Sequence, residues 1–192
     1  MKTICVYCGS SPGNDPAFGA AARALGAAIV ERGCDLVYGG ADVGLMGEVA
    51  NAVLDCGGRV TGVIPRAFAN RVSHSSLTEL RIAESMHERK KIMFELGDAF
   101  VALPGGFGTL EEMLEVVTWS HLGMHAKPCG LLNVSGYYDA LLAFLDDAVN
   151  ARVHALDAVL AAGPLPGQLE TVPSYRALLV VFDPEQADLA AV

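Results

Sequence analysis

The chain repeats one unit: a short continuous apolar run, a glycine-bearing loop, then a stretch whose apolar residues recur at helical spacing. TICVY (3–7) runs into the loop CGSS, and a helix is expected from about Pro16 to Arg32. DLVYGG (35–40) ends in two glycines ahead of GLMGEVANAVLDCG, a helix opening at Gly44. RVTGVIP (59–65) is a third strand, and the polar stretch ANRVSHSSL after it reads as a mobile loop. TELRIA (78–83) reads as a short strand before the helix ESMHERKKIMFELG. DAFVALPGG, the helix TLEEMLEVVTWSHLG, the strand KPCGLLNV and the helix YYDALLAFLDDAVN follow. Apolar strands alternating with helices predict an α/β fold, a parallel sheet with helices on both faces. Right-handed crossovers then gather the post-strand loops CGSS, YGGAD and PGGFGT along one edge, where such sheets bind ligands.

The 192 residues suit one domain, read here as spanning 1–192. An irregular segment at about 151–173 lies in its C-terminal part, where a helical run gives way to proline and glycine. After it, ALLVVF reads as a last strand before a short helix. At 52% hydrophobic residues a packed core is expected. A net charge of −9, from 22 acids against 13 bases, argues against nucleic acid or an anionic membrane as partner. No apolar run is long enough for a signal peptide or a membrane span. Five cysteines, an odd number without a framework, fit free thiols and a cytoplasmic location. Cys5 and Cys8 form a C-x-x-C, but the first lies inside a strand pattern, so buried strand cysteines are expected rather than a metal or redox pair.

The stretch LPGGFGTLEE (103–112) is the richest in chemistry. Counted from Gly106, a dinucleotide fingerprint would need a third glycine where Glu111 stands, and no Walker lysine follows the loop. What remains is a glycine loop entering a helix, where exposed amides and the helix dipole attract an anion such as a monophosphate. Thr109 and Glu112 also satisfy T-x-x-E, the spacing of a capping box, which needs no function at all. We expect both roles for Glu112: a cap in the empty protein, and a contact to the ligand when one is bound.

A second constellation is ESMHERKK (84–91), which places Met86, Arg89, Lys90 and Met93 on one side of a helix. Cations near a helix start are disfavoured, so a site is one reading; a solvated charged face is the other. His87 reads as a surface residue. His121 and His125 have a zinc-like spacing, but Gly123 ends the helix between them and no fitting acid follows. Trp119 is expected to pack.

PGGFGTLEE together with MHERK resembles the LOG ("lonely guy") family of cytokinin riboside 5′-monophosphate phosphoribohydrolases, often mislabelled lysine decarboxylases. The pattern P-G-G-x-G-T-x-x-E is met by Pro104, Gly105, Gly106, Gly108, Thr109 and Glu112. CVYCGSS, VYGG, GLMGEVA and LEVVTWSHLGMHAKPCGLLNV are similar too, so the likeness covers roughly residues 1–150. It implies a Rossmann-like fold, a homodimer, no metal and no organic cofactor. It also implies hydrolysis of the N-glycosidic bond of an N6-modified adenosine 5′-monophosphate, giving free base and ribose 5-phosphate. The implied catalytic pair is Arg89 and Glu112. Substrate contacts are expected at Ser10, Gly39, Gly40, Met86, Arg89 and Lys90. They continue along the loop and helix start, Gly105, Gly106, Phe107, Gly108, Thr109, Leu110, Glu111 and Glu112, and end at Thr118. Where the family shows a third glycine after YGG, this chain has Ala41 and Asp42. Other readings are an AMP-preferring nucleosidase and a non-catalytic nucleotide-binding or carrier protein. A decarboxylase is disfavoured, since nothing marks a Schiff-base lysine.

Overall fold

The strand order shows why the loops meet. A computed structural model describes residues 2–72, 74–147, 168–173 and 178–182. Its strands are β1 (Thr3–Tyr7), β2 (Asp35–Tyr38), β3 (Val60–Pro65), β4 (Glu79–Ala83), β5 (Ala99–Ala102), β6 (Cys129–Leu132), β7 (Gln168–Pro173) and β8 (Leu178–Phe182). They form an eight-stranded sheet in the order β4-β3-β2-β1-β5-β6-β8-β7. Every pairing is parallel except β7 with β8. From β1 the chain winds outward to β4, then returns to β5 on the other side of β1 and winds the other way. That reversal opens a crevice at the carboxyl ends of the central strands, as expected for a doubly wound sheet.

The helices are α1 (Pro16–Glu31), α2 (Gly44–Asp55), α3 (Arg66–Val72), α4 (Met86–Leu96), α5 (Phe107–His121) and α6 (Asp139–Asp147), with a 3₁₀ turn at Val134–Gly136. They cover both faces. Ile4 and Val6 of β1 point into a core with α1 and α2, while Cys5 and Tyr7 point into a second core with α4, α5 and α6. Burial on both sides is why these strands read as continuous apolar runs. Local chemistry sets the helix starts. Asp15 Oδ1 accepts from the Ala17 amide at 2.8 Å with Pro16 in the first turn of α1. Ser85 Oγ accepts from the Glu88 amide at 3.1 Å, so α4 begins after Ser85 rather than at Glu84.

Other expectations change. The first part of the stretch read as a mobile loop continues α3, and His74 beyond it is buried, its amide donating to Gly40 O at 3.0 Å. Tyr137 and Tyr138, read as the start of the helix YYDALLAFLDDAVN, precede α6 instead. Residues 168–173, counted in the irregular segment, form β7; a strand at the sheet's antiparallel edge can carry the proline that masked it. ALLVVF does supply a strand, β8. The helical run expected from residue 152 and the last short helix lie outside the described residues.

Candidate active site

A cavity of about 680 Å³ opens at the carboxyl edge of the sheet. The loops after β1, β2 and β5 all reach it, through Ser10, Gly39 and Gly106 respectively. This is the convergence expected from the three glycine-bearing loops.

At the cavity lie two opposite charges, both nearly out of solvent. Arg89, in the first turns of α4, is 6% exposed, and Glu112, in α5, is 5% exposed. Arg89 Nη1 donates to Glu112 Oε1, and Arg89 Nε donates to the carbonyl of Val63 on β3 at 3.0 Å. Burying a guanidinium is tolerable only with such partners. Room for it comes from Gly39: a Cβ there would lie 2.5 Å from Arg89 Nη2. Burial pushes the Glu112 carboxyl above the usual carboxylate range, while the Arg89 guanidinium pulls in the opposite direction without cancelling the effect.

The capping role expected of Thr109 and Glu112 is not found. The N-cap of α5 is Gly106, three residues earlier, so Thr109 already lies inside the helix, buried against Gly105. Glu112 turns to Arg89 instead of reaching back. Extended backbone at Gly106 lets the helix start early, and that removes the box. A serine–glutamate pair of the same spacing does serve α4: Ser85 caps, and Glu88 Oε2 accepts from the Glu84 amide at 2.6 Å.

The first intrahelical bond of α5 runs from the Leu110 amide to Gly106 O at 3.1 Å. The amides of Phe107, Gly108 and Thr109 therefore precede the helical ladder, at the positive end of its dipole. The glycines here divide by purpose. A Cβ on Gly105 would lie 2.7 Å from Thr109 Cβ, so packing requires that glycine. A Cβ on Gly106 or Gly108 would meet nothing within 4 Å. Packing does not demand those two, and their missing side chains leave the backbone open to a ligand.

Several expected contacts lie elsewhere. Ser10, Gly39, Met86, Phe107, Thr109 and Glu111 line the cavity, but Gly40, Lys90, Gly105, Leu110 and Thr118 do not. Lys90 joins α4 to α5 by pairing with Glu111 and with Glu115 at 3.0 Å. Burial lowers its ammonium pKa, yet the two carboxylates outweigh this and hold it above the ordinary value. Leu110 packs beside the second core. Thr118 is exposed on α5, its hydroxyl donating to Leu114 O at 2.6 Å. The apolar wall made by Val43, Met46, Ile64, Pro65 and Phe68 was not expected from the sequence. One signal for it was available: Ile64 and Pro65 end a strand at the same edge as the glycine loops.

The remaining motifs are structural. Cys5 and Cys8 are buried, and burial drives both thiols far above their usual pKa, which suppresses thiolate chemistry. His125 Nε2 lies 2.8 Å from Val116 O, and Trp119 stands edge-on to Phe94 at 4.9 Å. Among the described residues, no group of three or more His, Cys, Asp or Glu could hold a metal ion. No described helix is long and apolar enough to cross a membrane.

A buried arginine–glutamate pair beside an open glycine loop, at the switch point of a doubly wound sheet, defines a small-ligand site of α/β type. The family model described as "Possible lysine decarboxylase" matches residues 46–161, and the chain belongs to that family, the family of the LOG proteins. It is 50% identical over 191 residues to the cytokinin riboside 5′-monophosphate phosphoribohydrolase LOG of Oryza sativa subsp. japonica, covering 95% of this chain and 79% of that one. It is 54% identical over 149 residues to the cytokinin riboside 5′-monophosphate phosphoribohydrolase of Rhodococcoides fascians, covering 77% and 75%. The molybdenum cofactor carrier protein of Chlamydomonas reinhardtii shares the fold, with a TM-score of 0.62 at 22% identity over 84% of this chain and 97% of that one. A second family model, "Carboxyltransferase domain, subdomain C and D", matches residues 132–192. Much of that span lies outside the described residues.

Proposed function

We propose that this chain hydrolyses the N-glycosidic bond of N6-modified adenosine 5′-monophosphates, releasing the free cytokinin base and ribose 5-phosphate. The observation that carries the reading is the juxtaposition of the buried Arg89–Glu112 pair with the open amides at the start of α5. The identity to the two phosphoribohydrolases supports it.

In this reading the 5′-phosphate sits on the amides from Gly106 to Thr109, compensated by the α5 dipole. The ribose then lies over Glu112, and the base turns to the apolar wall of Val43, Met46, Ile64, Phe68 and Met86. Cleavage develops positive charge on the ribose, as in glycoside hydrolysis. The Glu112 carboxylate stabilises that charge, holds the hydroxyls and orients the attacking water. The departing purine gains negative charge, which the Arg89 guanidinium stabilises by hydrogen bonding. A guanidinium keeps its proton and acts here only as a hydrogen-bond donor. The phosphate anchor aligns the scissile bond, so a nucleoside without it reacts poorly.

The reading takes residues 1–192 as one Rossmann-like unit acting in the cytoplasm without metal or cofactor. It also takes the working form as a homodimer, which the exposed Leu114 and Leu122 at α5 support. Lys90, Leu110 and Thr118 belong to the proposed site only through neighbours or through a partner copy. Decarboxylation by an imine-forming lysine is disfavoured at Lys90, whose raised pKa is the opposite of what a nucleophilic amine needs.

The test is to incubate the purified protein with isopentenyladenosine 5′-monophosphate, AMP and unphosphorylated isopentenyladenosine, following free base by chromatography. Release from monophosphates alone is expected, fastest from the prenylated one. Faster release from AMP would make the protein a nucleosidase of AMP. Binding without release would make it a carrier, as its fold neighbour is named.

A further inference from the structure

We propose that Tyr137 is a positioning residue for the anion site, its hydroxyl setting the direction in which the Gly106 amide points. The proposal rests on the phosphoribohydrolase reading. Tyr137 Oη donates to the carbonyl of Gly105 at 2.8 Å. No described peptide bond is cis. In a trans peptide the carbonyl and the next N–H point in opposite directions. Drawing the Gly105 carbonyl towards Tyr137 therefore turns the Gly106 N–H to the other side of the loop, and Gly106 lines the cavity. Neither glycine has a side chain with which to hold that peptide plane.

Tyr137 is itself held in place. Its ring stands edge-on to Phe18, with centroids 5.3 Å apart, and to Tyr138 at 5.0 Å. The chain reaches it through Ser135 and Gly136, both with positive φ, of 52° and 71°. A serine in that region is strained, and such strain persists where the surroundings enforce it. Here Asn133 enforces it: its Nδ2 donates to Asp139 Oδ1 at 2.7 Å, and its Oδ1 accepts from the Tyr138 amide at 2.7 Å.

The neighbouring tyrosine is an internal control. Tyr138 Oη donates to the carbonyl of Leu103 at 2.6 Å, two residues before Gly105, but that bond is buried. Tyr137 is 43% exposed. A buried hydroxyl bond supports the fold, whereas a half-exposed one adds little stability and can still fix a direction.

The experiment compares the wild-type protein, Tyr137→Phe and Tyr138→Phe. It measures KM and kcat for isopentenyladenosine 5′-monophosphate, inhibition by ribose 5-phosphate and by free isopentenyladenine, and Tm. Tyr137→Phe keeps the ring contacts and loses the hydrogen bond. It should raise KM and the ribose 5-phosphate inhibition constant roughly three- to tenfold, leaving the base inhibition constant and Tm unchanged. Tyr138→Phe should lower Tm and leave the ratio of the two inhibition constants as in the wild type. An unchanged ribose 5-phosphate constant in Tyr137→Phe, or equal weakening of sugar phosphate and base, overturns the proposal alone. A wild-type protein that treats nucleotide and nucleoside alike overturns the proposal and the reading beneath it.

Discussion

Gly39 and Arg89 occupy one another's space: the Cβ that Gly39 lacks would lie 2.5 Å from Arg89 Nη2, and 3.2 Å from Sδ of Met46. Gly39→Ala should therefore displace the guanidinium before it disturbs the fold. Misplacing a reacting group by an ångström costs about 100-fold, so kcat/KM should fall by that order. Overpacking of this kind costs about 1–3 kcal/mol, read as a modest drop in Tm. An undiminished kcat/KM would mean that Arg89 adapts and that its alignment is not needed.

Glu112→Gln keeps an oxygen acceptor for Arg89 and removes the negative charge. The folded state should survive, with 5′-monophosphate affinity within a few-fold of the original. Turnover should fall by about 10²–10⁴. Circular dichroism, equilibrium binding and single-turnover kinetics separate these effects, and normal turnover would reduce Glu112 to a structural partner of Arg89.

Burial holds the Glu112 carboxyl above its ordinary value of 4.5. Only the ionised form can face a developing cation, so activity should fall with decreasing pH along a limb centred above 4.5. Stability runs the other way. The folded chain binds this proton more tightly than the unfolded chain, so the Glu112 contribution is most favourable below the unfolded pKa and is lost as pH rises through the folded one. A pH profile of kcat/KM beside a ¹³C titration of the carboxyl tests both. A carboxyl titrating at or below the ordinary value would refute the assignment.

The two kinds of glycine in the loop after β5 predict two phenotypes. Gly105→Ala should lower Tm, because its Cβ would press on Thr109 and on the Gly9 amide 2.9 Å away. Gly106→Val has room in the empty protein, so Tm should hold while affinity for ribose 5-phosphate drops at least tenfold, as expected where a side chain blocks a charged hydrogen bond. Calorimetric titration of both variants distinguishes them, and intact affinity in Gly106→Val would move the phosphate to another part of the cavity.

The sheet was legible because strands buried on both faces leave unbroken apolar runs, and because each post-strand loop marks its edge with glycine. The pair Arg89 and Glu112 was legible as a family pattern, not as a contact: nothing in a sequence reports that residues 23 apart meet in the lining of a cleft. The false cap shows the limit of local spacing. T-x-x-E at Thr109–Glu112 has the right chemistry for a helix start, but tertiary charge pairing claimed the glutamate first. Lys90 is a similar case, since its carboxylate partners sit on a different helix. The apolar wall escaped notice because Val43 and Met46 stand at the start of α2 while Ile64, Pro65 and Phe68 belong to the next unit, and only folding brings the two groups together.

The bond between Arg89 and Glu112 also limits how this chain can evolve. Through Val63 O it joins β3 and α4 to α5, so the groups assigned to the chemistry double as a tie across the sheet. Removing one member strands a lone buried charge, at a cost of about 3–5 kcal/mol, against a typical total of about 5–15 kcal/mol for a domain. A lineage drifting towards mere nucleotide carriage would cross a valley of poorly folded intermediates unless both residues changed together or a substitute such as glutamine came first. Disuse alone would therefore erase this pair slowly, and its persistence in a descendant would say as much about folding as about catalysis.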